Sequence, residues 1–219
     1  MNIADHDPII QLDQTGTCII PKESSINYLR HHFSQHHWFR LPALLNDALL
    51  NRILDGLVKG DFFQRKHSGL AKNSEYVLKH CAPVAILDLV FNNQDLLSLV
   101  KQVTGHTDLS ASTGRVYQLD PSQGHSDAWH DDDSDGRRVA YSLNLSTSPY
   151  QGGALWLREA QKKQSIQEIT NEITGNVLFF CINSSLEHRV APLNGSTPKT
   201  AYAGWFHVEQ SFKDRFANP

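Results

Sequence analysis

After about residue 110 the chain breaks into short β-like runs separated by Gly, Pro, Asn, Asp and Ser. This texture limits its fold more than any other feature. The runs are Gly114-Arg-Val-Tyr-Gln-Leu, Val139-Ala-Tyr-Ser-Leu-Asn-Leu, Gly153-Ala-Leu-Trp-Leu, Asn176-Val-Leu-Phe-Phe-Cys-Ile and Thr200-Ala-Tyr-Ala-Gly-Trp-Phe. Several short strands between turn signals predict an antiparallel barrel or sandwich, of which the jelly roll is one form. The first half reads differently. Leu41 to Lys59 places Leu44, Leu45, Leu49, Ile53, Leu54 and Leu57 at helical spacing, with Pro42 near its start. Val84 to Val103 gives a second helical reading, interrupted at Asn92-Asn93 and stopped by Gly105. Short strands are expected at Thr17 to Ile20 and Trp38 to Leu41. The fold expected is mainly β with N-terminal helices (α+β), a jelly roll packed on helices. A chain of 219 residues suits one domain, with a helix-rich part at 1–110 and a β core at 111–210.

Charge and cysteines narrow the function. The net charge is −3, and the basic pairs Lys162-Lys163 and Arg137-Arg138 read as solvated surface, so no nucleic-acid partner is expected. Three cysteines at wide spacing, Cys18, Cys81 and Cys181, make neither a disulfide framework nor a CxxC metal motif. No apolar stretch approaches the ~20 residues needed to cross a bilayer. The N-terminus has no basic segment leading into an apolar run, so a cytoplasmic location and no membrane partner are expected.

The segment Gln123-Gly-His-Ser-Asp-Ala-Trp-His-Asp-Asp-Asp is rich in metal-ligand types. In an extended strand His130 and Asp132 point to one face, so an imidazole and a carboxylate converge on one ion. His188, in Ser185-Leu-Glu-His-Arg-Val-Ala-Pro, lies just past an apolar strand and supplies a third ligand. Two histidines and one carboxylate on one face leave metal positions open, the arrangement suited to non-haem Fe(II) and oxygen chemistry. A second HxD, His125 and Asp127, competes for the role. His31-His32 and His36-His37 read as surface or helix-start residues, and Cys181 as a small core residue.

The order of features around the HxD carries a family resemblance. Tyr117 comes first, then Trp129-His-Asp-Asp, Tyr141-Ser-Leu-Asn-Leu and Tyr150-Gln-Gly-Gly-Ala-Leu-Trp-Leu. Thr174-Gly-Asn-Val-Leu-Phe-Phe, Glu187-His-Arg-Val-Ala-Pro and Lys199-Thr-Ala-Tyr-Ala-Gly-Trp-Phe follow. Over roughly residues 112 to 207 the chain resembles the prolyl-4-hydroxylase-like group of 2-oxoglutarate/Fe(II) oxygenases. The resemblance implies a double-stranded β-helix with Fe(II) held by His130, Asp132 and His188, with 2-oxoglutarate and O2 as cosubstrates; ascorbate is a further cofactor such enzymes accept. Lys199 stands where the family places the basic residue that binds the distal carboxylate of 2-oxoglutarate. A buried carboxylate must be paired, and an ammonium serves as a point charge. Strand alternation then puts Lys199, Ala201, Ala203 and Trp205 on one face. Ala201 replaces the hydroxyl that many relatives carry two residues on, which leaves Tyr117 and Ser142 as cosubstrate-binding hydroxyls; Tyr141 takes the role of Ser142 if the register shifts by one.

The implied activity is hydroxylation of an unactivated C–H in a peptidyl or free amino acid, or a related peptide natural product, giving succinate and CO2. A carboxylate at Asp132 fills the position that Gly or Ala would leave to a halide, which argues for hydroxylation, desaturation or cyclisation over halogenation. The short stretch between Asp132 and Tyr141 predicts an open mouth and favours a larger, peptide-like substrate. No side chain beyond the metal ligands is expected to be catalytic. Arg189 should point away from His188, and a monomer and a homodimer are both compatible with the sequence. The alternatives are a cupin-type metalloenzyme without 2-oxoglutarate and a non-catalytic metal-binding module.

Overall fold

The computed structural model describes residues 7–66, 74–123 and 128–208. The first part begins with a hairpin of β1 (Gln11–Asp13) and β2 (Gly16–Ile19). There follow α1 (Glu23–His36), β3 (Trp38–Leu41), α2 (Asp47–Val58), the pair β4 (Phe62–Lys66) and β5 (Ser74–Leu78), then α3 (Ala82–Phe91) and α4 (Gln94–Thr104). The second part runs β6 (Leu109–Leu119), β7 (Arg137–Asn144), β8 (Gln151–Gly152), β9 (Leu155–Glu159) and β10 (Ile166–Ile169). It ends with β11 (Val177–Cys181), β12 (Leu186–Val190), β13 (Leu193–Asn194) and β14 (Lys199–Val208). A seven-stranded antiparallel sheet, in the order β3-β11-β7-β14-β6-β5-β4, faces a smaller sheet β10-β9-β12 and the short pair β13-β8. This is the double-stranded β-helix expected from the sequence, with helices on the outer face of the large sheet. No helix among the described residues is long and apolar enough to cross a membrane.

The two asparagines act as the sequence predicts. The Asn92 side chain donates to the Asp88 carbonyl at the end of α3, and Asn93 caps α4 by accepting from the N–H groups of Asp95 and Leu96. Gly105 closes α4 in the left-handed region, φ 79°. The expected helix at 41–59 is shorter than its periodicity suggested. Leu41 pairs with Val177 at the sheet edge, Ala43 turns at φ 44°, and Asn46 caps a helix that starts only at Asp47. His31, His32 and His36 lie in the second half of α1, not at a helix start, and His37 is its left-handed cap. That helix buries Ile26, Leu29 and Phe33, a sparse stripe in an otherwise polar segment. Strands β3, β4 and β5, all before residue 110, are part of the large sheet.

Alternation along β14 divides the molecule. Tyr202 and Phe206 point to the helices, where both rings pack on Phe91 of α3. Lys199, Ala203 and Trp205 point the other way and line the cavity between the sheets. Gly204 sits opposite Gly114 on β6 and Tyr141 on β7. A side chain at Gly204 would collide with the Thr113 carbonyl and stand 2.7 Å from the Tyr141 hydroxyl; one at Gly114 would stand 2.5 Å from the same hydroxyl. The two glycines therefore make room for Tyr141, which exchanges a hydrogen bond with Ser112 and stacks on Phe91. Gly204→Ala should lower stability by about 3 kcal/mol, because backbone atoms must move. Asn93→Ala should lower it by about 1 kcal/mol through loss of the cap. Urea unfolding midpoints measure both, and a Gly204→Ala midpoint at the wild-type value would show that the strands can separate without cost.

Candidate metal centre

His130 is brought to His188 by a single antiparallel bridge. The two residues exchange both backbone hydrogen bonds, His130 N–H to His188 carbonyl at 3.1 Å and the reverse at 2.8 Å. Residues opposed in this way project their side chains to the same face, and the imidazole centroids are 4.2 Å apart. Asp132 joins them by a route that simple alternation did not foresee. The segment is not an extended strand there: Asp132 has φ 55°, in the left-handed region that Asp tolerates better than most residues. Its Oδ2 lies 3.7 Å from His130 Nε2 and 3.5 Å from His188 Nε2. All three ligand atoms fall within 4.8 Å of one another. Those separations are beyond hydrogen-bond length and fit donors arranged around an ion. His125 and Asp127 lie outside the described residues.

The surroundings prepare these groups for a cation. His130 Nδ1 is 2.8 Å from the Ala128 carbonyl, which can only accept, so Nδ1 carries the proton and Nε2 presents a lone pair. Burial opposes ionisation of Asp132. The adjoining imidazoles of His188 and His130 and the Trp205 N–H outweigh it and hold the carboxyl at about 2. Phe180 meets the His188 ring edge to face at 4.8 Å and limits its rotation. Behind the triad, Trp129 lies between guanidinium groups. Arg158 is 3.8 Å and Arg189 is 5.3 Å from its ring centre, and Arg158 also pairs with Glu187 at 2.6 Å. Arg189 points away from the cavity, as alternation predicts, and lies over Trp156 at 4.4 Å.

The triad opens into a cavity of about 320 Å³ that also contains Lys199, Tyr117 and Ser142. Lys199 is 6% exposed; its ammonium donates to the Gly153 carbonyl at 2.6 Å and lies 5.6 Å from the Tyr150 ring centre. The Gly152-Gly153 turn has φ 78° and 66°, and a side chain at Gly153 would press on Lys199 at 3.1 Å. Tyr117 is buried beside Ala201, its partner across the ladder. Ser142 faces the cavity from β7 opposite Ala203, whereas most of Tyr141 is packed in the helix-side core. Cys181 is buried, accepts from the Asn183 amide, and takes no part in the ligand cluster.

Some cavity residues escaped the sequence reading. Arg137 is not solvated surface: its guanidinium lies 4.0 Å from the Trp205 ring centre and 3.5 Å from Asp132 Oδ1. Arg65, Glu75 and Arg115 also line the cavity, Glu75 and Arg115 as a two-bond ion pair. Asn171 donates to the Ser142 and Asn176 carbonyls and keeps a buried Oδ1 with no donor among the described residues. The pairing of Arg115 with Trp205 through β6 and β14 could have been inferred only with the strand register in hand.

The comparisons agree with this geometry. A profile described as the 2OG-Fe(II) oxygenase superfamily matches residues 113–207. A sequence search of curated proteins gives no match. Among solved structures, a Pseudomonas putida prolyl-4-hydroxylase superposes with a TM-score of 0.63 at 14% identity, covering 84% of this chain and 99% of the other. A Trichoplax adhaerens prolyl hydroxylase, solved with a hypoxia inducible factor peptide fragment, gives 0.66 at 17% identity over 90% and 94%. An oxidoreductase of the 2OG-Fe(II) oxygenase family from Burkholderia pseudomallei gives 0.66 at 12% over 91% and 96%. Residues 113–207 thus match the 2OG-Fe(II) oxygenase superfamily, whose members use Fe(II), 2-oxoglutarate and O2.

Proposed function

We propose that the protein is a hydroxylase acting on an unactivated C–H of an amino-acid-derived substrate, with Fe(II) held by His130, Asp132 and His188. The observation that carries this reading is the convergence of the three ligand atoms in the cavity that also holds the buried Lys199 ammonium. A metal and a dianionic keto acid need these two features together. Lys199 would pair with the distal carboxylate of 2-oxoglutarate, with Tyr117 and Ser142 as the neighbouring hydroxyls. Residues 1–219 are read as one oxygenase domain, supported by a hydrophobic core that runs from Ile9 to Phe206.

Bound Fe(II) would supply the oxidising chemistry, one oxygen atom of O2 going to the substrate and the other to 2-oxoglutarate as it becomes succinate and CO2. The chain's own residues do the rest. Ala128 fixes the tautomer of His130, Trp205 holds one oxygen of Asp132, and Arg137 faces the other. Leu155, Leu178, Phe180 and Val190 exclude water from the triad's inner side. Prolyl hydroxylases among the structural relatives favour an amino-acid-derived substrate, free or within a peptide.

An anaerobic titration with Fe(II) and then 2-oxoglutarate tests this reading without the substrate. A visible charge-transfer band should appear only with both additions and should be absent in His188→Ala. Lys199→Ala should raise the 2-oxoglutarate concentration needed by roughly thirtyfold or more, since a buried charge pair loses one partner. A folded, metal-loaded protein with no band would overturn the proposal in favour of a metalloenzyme without 2-oxoglutarate or a non-catalytic metal-binding module.

A further inference from the structure

The charges lining the cavity do not match those of the chain. The protein carries a net charge of −3. Yet the described residues of its cavity wall include the cations Arg65, Arg115, Arg137 and Lys199 against the anions Glu75 and Asp132. Under the proposed function Lys199 is committed to 2-oxoglutarate and Asp132 to the metal. Three guanidinium groups then remain against one carboxylate.

Their arrangement is specific. Arg115 is clamped by Glu75 through Nε at 2.9 Å and Nη2 at 3.3 Å, which fixes the plane of its guanidinium. Its carbon lies 5.6 Å from the Trp205 ring centre, and that of Arg137 lies 4.0 Å from it. Trp205 in turn donates to the metal-facing oxygen of Asp132 at 3.0 Å. Among the described residues Arg137 reaches carboxylates only at 3.5 Å, on Asp132 and Asp135, a weak length for a hydrogen bond, which leaves its N–H groups able to bind an anion. Along β14, Lys199 and Trp205 are six residues apart on one face, about 20 Å of strand. The cavity therefore has one basic pole at Lys199 and a second around Trp205, next to the metal ligands. At about 320 Å³ it lies at the small end of the roughly 300–1,000 Å³ typical of ligand pockets.

We infer that the substrate is a small molecule with its own carboxylate, such as a free amino acid, held by the guanidinium groups of Arg115 and Arg137 with Arg65 beside them. This inference rests on the oxygenase reading above. A planar guanidinium held against an aromatic face is suited to two-point capture of a carboxylate, and a carboxylate fixed there would leave the substrate's aliphatic carbons near the metal. The open mouth expected from the short Asp132–Tyr141 stretch favoured a peptide; the arginine pole favours a free acid.

The test uses the holoprotein with iron and 2-oxoglutarate, under anaerobic conditions for binding and in air for turnover. The probes are the common free L-amino acids, each beside its carboxamide, and uncharged dipeptides capped at both ends. At least one free acid should shift the charge-transfer band and raise succinate release tenfold or more, while its carboxamide does neither. In Glu75→Gln/Arg115→Gln, which replaces both members of the ion pair by neutral side chains, the acid concentration giving half the shift should rise at least tenfold. Arg65→Gln, at an exposed position, should raise it by a smaller factor. The band before substrate is added should be unchanged in both variants, which separates failure of this inference from failure of the oxygenase reading. A carboxamide or capped dipeptide as effective as the free acid would overturn the inference. So would an undiminished response in both variants, or a normal band that no free acid shifts.

Discussion

The structure turns on two backbone hydrogen bonds, those exchanged between His130 and His188. They connect a loop that leaves β6 to the strand β12 of the smaller sheet, and they oppose two imidazoles across one narrow rung. Neither histidine is near the other in sequence, so the geometry of the pair is set by the sheet and not by local chain stiffness. Asp132 then needs only a left-handed turn to reach the same point. The remaining contacts, Ala128 on His130, Phe180 on His188 and Trp205 on Asp132, fix orientations that this rung has already brought together.

The large sheet holds the rung in place because its two faces have separate tasks. On β6, β7, β11 and β14 one set of alternating residues builds an aromatic core with α3, and the other set lines the cavity. A slip of one residue in any ladder would exchange the sets. Gly114 and Gly204 guard against it, since a side chain at either position would crowd the Tyr141 hydroxyl. Burial holds that hydroxyl above its usual pKa, so it remains a neutral hydrogen-bonding group and a packing element.

Much of this was legible in the sequence, for physical reasons. Buried strands declare themselves through apolar runs ended by turn residues, and Asn93 and Gly105 act through their immediate neighbours. Lys199 could be assigned a face because β14 alternates without interruption up to Phe206. Other features depend on partners distant in the chain. Helix α1 buries too few residues to stand out among its histidines, and β4 and β5 are short strands with polar residues among the apolar. Arg137 resembled any surface cation until Trp205 was placed beneath it. The left-handed backbone at Asp132 left no sign in composition, and the expected convergence of Asp132 with the two histidines was argued from an extended geometry the chain does not adopt.

The pair β4–β5 joins the large sheet at its far edge, through a ladder in which, among the described residues, Tyr76 and Val77 pair with β6. It brings Arg65 and Glu75 to the cavity, yet it provides none of the three ligands and does not contain Lys199. An edge element that supplies none of the triad can be lengthened, recharged or exchanged over evolutionary time while the triad stays as it is. Descendants of such a chain could acquire new substrates by altering one hairpin, and divergence within a lineage should accumulate there first.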